Sequence, residues 1–171
     1  ASYSFLLEHF YIVDETTSMT KQDLNGTKLV TMDLSTKLKE EPLVLIYHTH
    51  GSETYKKVNG KEGSVIEVGT ALTKELENIY GIKTIHDKSV YDMVDGQLDR
   101  NAAYNFAGDS VESALRKNPS VKVVIDLHRD SVENSIHLRT KINGRSAAQI
   151  MFFNGLSRKK KSGVLSGLEN P

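Results

Sequence analysis

Residues 43–47, Leu-Val-Leu-Ile-Tyr, are an unbroken apolar run behind Pro42, short enough for a buried strand. Val65, Val68, Leu72, Leu76 and Ile79 then recur every three or four residues, the stripe of an amphipathic helix, and Gly81 stops it. Residues 82–86 read as another strand and 87–100 as a loop containing Gly96. A second helix is predicted over 101–117, with Tyr104, Ala107, Val111 and Leu115 on one face and Asn118-Pro119 as its end. Residues 121–127 read as a second buried strand. The runs 136–142 and 147–153 flank Asn143-Gly144 and predict a hairpin.

The flanks are less regular. Residues 5–13 mix aromatic and aliphatic side chains and read as a packed strand or N-terminal arm. Residues 14–41 are polar, with Asn25-Gly26 as a turn signal, so 1–41 reads as an arm leading into the domain. Residues 54–63, with Gly60 and Gly63, read as a loop. From Asn154 the chain is polar, and its basic run at 158–161 reads as a solvated loop. The central order strand, helix, strand, helix, strand predicts an α/β fold: three layers, a mostly parallel sheet flanked by helices. Ligands in such sheets bind beyond the carboxyl ends of the strands. Both fully apolar strands run there into histidine, at His48-Thr49-His50 and at His128.

Composition narrows the chemistry. With 171 residues, 38% apolar and 26% charged, the chain is one foldable domain in size. Lys+Arg and Asp+Glu are both 22, so no net charge draws it to nucleic acid, and the basic run has no interleaved aromatics. The absence of cysteine excludes disulfides, thiolate metal sites and a cysteine nucleophile. No apolar run approaches the roughly 18 residues of a membrane span. The chain opens at Ala1 without Met, which leaves room for a removed membrane anchor.

The candidate chemistry lies in His50-Gly51-Ser52-Glu53 and His128. An H-x-x-E pair in a turn aims an imidazole and a carboxylate at one point, and His128 supplies a third group. Two imidazoles and a carboxylate suit zinc and leave a fourth position open for water or substrate. A histidine at a strand end is more often only a polar residue leaving the core; two of them, one within H-x-x-E, shift the balance toward a site. His48 shares the face of His50 and is the rival ligand or an outer-shell partner. Among carboxylates Glu53 ranks first, Glu62 second and Glu67 third, because Ser64-Val-Ile-Glu67 fits a capping box. Arg129 is read evenly as a substrate or oxyanion contact and as a surface ion pair with Asp130 or Glu133. His86-Asp87 is a further candidate for the cleft, whereas His9 and His137 carry no motif.

Leu45-Ile-Tyr-His-Thr-His-Gly-Ser-Glu-Thr-Tyr55, Val68-Gly69, Gly81-Ile-Lys-Thr-Ile-His-Asp-Lys88 and Val124-Ile-Asp-Leu-His-Arg-Asp-Ser131 together resemble the stage II sporulation protein P family of endospore formers. That resemblance runs over nearly the whole chain. It implies a zinc amidase-like (phosphorylase/hydrolase-like) fold and a peptidoglycan hydrolase that cuts the N-acetylmuramoyl-L-alanine amide, with endopeptidase activity as well. It further implies action during forespore engulfment, outside the cytoplasmic membrane and anchored to it, between mother cell and forespore. The implied partner is stage II sporulation protein D, a lytic transglycosylase. Histidine ligands carry over to His50 and His128; the acidic ligand is Glu53 by the family block or Glu62 by the wider amidase pattern. The resemblance places a general acid or base glutamate beyond residue 171, so residues 1–171 are expected to be a C-terminally incomplete domain, and Glu169 is in the wrong context to replace it. Competing readings are a zinc carboxypeptidase-like peptidase and a non-catalytic peptidoglycan-binding fragment.

Overall fold

The computed structural model describes residues 2–11, 13, 19–56, 60–133, 135–153, 157–161 and 164–169, the last two spans by backbone alone. In chain order the elements are α1 Tyr3–Phe10, α2 Gly26–Thr31, β1 Val44–Tyr47, α3 Val65–Asn78, β2 Thr84–His86, β3 Met93–Val94, β4 Gln97–Leu98, α4 Arg100–Lys117, β5 Val123–Asp126, β6 Arg139–Ile142, β7 Arg145–Ala148, β8 Ser157–Lys161 and β9 Val164–Glu169. The chain divides into two compact units, one of residues 36–134 and one of 1–35 with 135–171.

The unit of residues 36–134 is α/β. Its sheet has the order β2-β1-β5, and every pairing in it is parallel. The central strand β1 is the most deeply buried, with Leu45 and Ile46 almost fully enclosed. Each contributes roughly 1.5–3 kcal/mol by leaving water. Helix α3 connects β1 to β2 on one side, and α4 carries the chain back across β1 to β5 on the other. Parallel connections are right-handed as a rule, and two that run in opposite directions put their helices on opposite faces of a sheet. The direction of winding reverses at β1, so the crevice outside the carboxyl ends of β1 and β5 is the switch point.

Helix α3 begins with the predicted capping box: the Ser64 hydroxyl accepts from Glu67 N–H, and the Glu67 carboxylate accepts from Ser64 N–H. It ends with Gly81, at φ +67°, whose N–H reaches Glu77 O while Ile82 N–H reaches Leu76 O. The packed face differs from the predicted stripe. Val65 and Gly69 are buried, Leu72 and Leu76 partly so, and Val68 and Ile79 face solvent. Gly69 replaces Val68 on the sheet side because a β-carbon there would lie 2.6 Å from His86 Nε2 and 2.7 Å from His48 Nε2.

Four further expectations are corrected. Residues 87–100 contain a small hairpin, β3–β4, turned by Asp95-Gly96 at φ 49° and 79°, the backbone that a two-residue turn requires. On α4 the buried face is Ala103 and Ala107, and Tyr104 is 58% exposed. Strand β5 is not fully buried: Val123 and Val124 are 45% and 43% exposed, because β5 is a sheet edge. Residues 3–10 form α1 and not a strand, capped by Ser2.

In the other unit Asn25 caps α2 and does not lead a turn. The expected hairpin forms as β6–β7 around Asn143 and Gly144, both at positive φ, though 149–153 lies beyond it. The basic run lies on strand β8, paired with β9, and not in a loop; its side chains, that of Glu169 and residues 154–156 fall outside the described residues. No helix among the described residues is long and apolar enough to cross a membrane.

The crowding at Gly69 gives a test of this packing. Helix propensity alone favours Gly69→Ala by about 1 kcal/mol. The opposite sign is expected: urea unfolding should show a loss of about 1–3 kcal/mol, because the methyl group must displace two buried imidazoles.

Candidate metal centre

The segment His48–Glu53 leaves β1 at the switch point and turns at once, with Glu53 N–H bonded to His50 O. Gly51 is required by close approach: a β-carbon would sit 3.0 Å from Ser89 O and 3.1 Å from Val90 Cα. Side chains remote in sequence hold the segment in place. Thr49 donates from N–H (2.9 Å) and Oγ1 (2.6 Å) to the Asp126 carboxylate. Ser52 donates from N–H (3.1 Å) and Oγ (2.5 Å) to Asp92, which is fully buried. His48, also fully buried, bonds Leu127 O through Nδ1 and His86 Nε2 through Nε2, both at 2.9 Å. Glu53 is nearly buried, and its Oε2 accepts from Arg129 N–H at 3.0 Å.

The exception is His50. Its Nε2 is buried and has no hydrogen-bond partner among the described residues. Its ring stands edge-on to those of His128 and Tyr104, with centroids 5.0 and 5.3 Å away. One ligand atom each from His50, Glu53 and His128 lies within 4.8 Å of the others, a group able to hold a metal ion. His128 points Nε2 at Asp126 Oδ2 (2.9 Å) and Nδ1 at Glu53 Oε2 (3.8 Å). Ligands around a tetrahedral ion with ~2.0–2.1 Å bonds sit about 3.3 Å apart, so only small side-chain movements separate this trio from closure. An orphaned buried imidazole nitrogen beside a carboxylate and a second imidazole fits a cation and leaves it an open side.

The electrostatics agree with this polarity. The hydrogen bond to Asp126 raises the His128 imidazole above its ordinary value, against the opposing effect of burial. Burial pushes the Asp126 carboxyl up, but the bonds from His128 and Thr49 outweigh it and hold it low. Asp126 therefore keeps the His128 proton on Nε2 and turns Nδ1 toward Glu53, the outer-shell arrangement common behind ligating histidines.

Of the residues singled out in the sequence, His50, Glu53 and His128 are brought together. Glu62 is exposed and accepts from Thr54 Oγ1, Glu67 caps α3, and His48 is turned away to Leu127 and His86. The guanidinium of Arg129 reaches the Asp130 backbone carbonyl at 3.3 Å and neither carboxylate named for it; its Nε is buried without a partner among the described residues. Burial and the Glu53 charge push the Tyr55 phenol up, with Arg129 opposing. Asp87 accepts from Ser89 N–H, Tyr91 OH and Ser110 Oγ and shapes the next loop. His9 stacks on Phe5, and His137 is exposed.

Sequence reasoning missed Asp126, Asp92 and Tyr104. Asp126 had a usable signal: two residues before His128 on a strand, it shares that histidine's side. Asp92 had none, since only folding brings its loop to Ser52.

The profile of the Stage II sporulation protein P (SpoIIP) family matches residues 8–166. The chain belongs to this family. A curated SpoIIP relative, Stage II sporulation protein P of Bacillus subtilis (strain 168), is 26% identical over 131 residues, covering 70% of this chain and 32% of the relative. The chain thus spans about a third of the length of that SpoIIP relative. No solved structure matches the chain. SpoIIP membership gives the chain a role connected with sporulation.

The Asp126–His128 pair makes a pH prediction for metal-free protein. The lowered Asp126 contributes stability above its ordinary 3.8, lost as pH falls through its folded value. The raised His128 contributes stability below its ordinary 6.5, lost as pH rises through its folded value. The difference in urea midpoint between wild type and Asp126→Asn should therefore be largest between those two values and shrink on both sides. A difference independent of pH would show that the pair does not titrate as described.

Proposed function

We propose that the chain carries the zinc-binding part of a peptidoglycan hydrolase that cuts the N-acetylmuramoyl-L-alanine amide during forespore engulfment. The observation that carries this reading is the gathering of His50, Glu53 and His128 into one group able to hold a metal ion, with His50 Nε2 buried and unpartnered among the described residues. The family's sporulation role supplies the context. An amidase-like fold belongs to the same proposal, as does endopeptidase activity on stem-peptide cross-links.

His50 Nε2, a Glu53 oxygen and His128 Nδ1 would hold the ion. Zinc held there would supply Lewis-acid chemistry, lowering the pKa of a water to about 7 and polarising a carbonyl. Asp126 fixes the His128 tautomer, and Arg129 N–H fixes the Glu53 carboxylate. Arg129, with its free Nε, is assigned to a substrate carboxylate or to the oxyanion, and Tyr55 to the same rim. The resemblance assigns the proton shuttle to a glutamate beyond residue 171. Location outside the cytoplasmic membrane, between mother cell and forespore, and cooperation with the lytic transglycosylase stage II sporulation protein D are parts of the same reading.

Elemental analysis after chelator-free purification tests it. About one zinc per chain is expected in wild type, with loss in His50→Ala and His128→Ala and a 10–100-fold weaker affinity in Asp126→Asn. The full-length protein should free stem peptides with a new N-terminal L-alanine from the glycan strands of sacculi. No metal in wild type after zinc addition would remove the reading. Release of single C-terminal amino acids from peptides would favour a carboxypeptidase, and sacculus binding without release a wall-binding module.

A further inference from the structure

His48 and His86 lie outside the trio, and their bonding determines their protons. A neutral imidazole has one N–H and one acceptor nitrogen. The Leu127 carbonyl only accepts, so the His48 proton is on Nδ1, at 2.9 Å from that oxygen. His48 Nε2 is then the acceptor, and the proton between the two rings belongs to His86 Nε2, 2.9 Å away. His86 Nδ1 is left bare, buried and without a partner among the described residues. The opposite tautomers would set two N–H groups or two lone pairs against each other.

This chain of bonds begins at the last residue of β2, passes through the residue after β1 and ends on the residue after β5. It continues the sheet where the backbone ladder stops: Asp87 N–H to Ile46 O and Leu127 N–H to Tyr47 O are the final rungs. Leu127 is thereby held on both polar groups, N–H by Tyr47 and C=O by His48, one peptide before His128. Helix α3 leaves room for it only because residue 69 has no β-carbon.

We propose that His48 and His86 form a tautomer-locked strap across the three strand ends, whose task is to position His128 for metal binding. They are positioning residues and not ligands. The proposal rests on reading His50, Glu53 and His128 as a metal centre.

The test uses substitutions that keep or remove the donor. In His48→Asn the amide can replace the Nδ1 donor, and in His86→Gln the amide can replace the Nε2 donor; His48→Leu and His86→Leu supply none. In metal-free protein, nitrogen-15 NMR should show His48 protonated at Nδ1 and His86 at Nε2. The His128 Nε2–H signal, held by Asp126, should persist in the Asn and Gln variants and broaden or vanish in the Leu variants. Titration with Co²⁺ alone should give affinities within about threefold of wild type for Asn and Gln. The Leu variants should bind 10–100-fold more weakly, with an altered visible spectrum. The strap is overturned if the tautomers are otherwise, or if the Leu variants keep the His128 signal and the wild-type Co²⁺ spectrum. It is equally overturned if Asn and Gln do as badly as Leu. Failure of wild type to bind Co²⁺, with the NMR pattern intact, would overturn the metal centre and with it the strap's metal-binding task, leaving a structural clamp on His128.

Discussion

The Asp126 carboxylate accepts three hydrogen bonds, two from Thr49 and one from His128, and the placement of the whole site follows from them. A carboxylate at the end of a half-buried strand is costly to desolvate, and three donors offset that cost. Two of the donors lie just after β1 and the third just after β5. The bonds therefore join neighbouring strand ends as firmly as ladder bonds would, and with charge added. His50 follows Thr49 directly, so its position is inherited from the same carboxylate.

The turn after β1 shows a division of labour among polar groups. His48, Thr49, Ser52 and Glu53 are each bonded to a group from another part of the sequence: Leu127 and His86, Asp126, Asp92, and the Arg129 N–H. Within that turn His50 Nε2 is buried and has no partner among the described residues. Buried polar atoms rarely go unpaired without a functional reason, and His50 lies within ligand distance of a second imidazole and a carboxylate. The glutamates that might have competed are engaged locally, Glu62 by Thr54 and Glu67 by the start of α3.

A parallel sheet suits this construction. Its strands end side by side, so loops distant in sequence meet at one edge, and the winding reverses at β1, where ligands bind in sheets of this kind. The sheet supplies rigidity, and the residues beyond the strand ends supply chemistry. Membership of a sporulation family connects the chain with that process, while the three ligand-type side chains form a group able to hold a metal ion.

The sequence by itself determined the α/β class, the positions of β1, α3, β2, α4 and β5, and His50 and His128 as the candidate histidines, with Glu53 only ranked ahead of Glu62 and Glu67. Period, capping and strand-end position are local properties, and each can be read from a few neighbouring residues. It misplaced faces where two apolar residues adjoin. Val68 was read into the core and is exposed, because the space opposite Gly69 is filled by two histidines; Tyr104 was read as packed and instead borders His50. Only the tertiary structure decided which glutamate joins the histidines, where Asp126 and Asp92 act, and that His48 turns away from the site. Those choices depend on contacts between residues some 40 to 80 positions apart in the chain. No local pattern encodes such a contact, because it exists only once the strands have been placed beside one another.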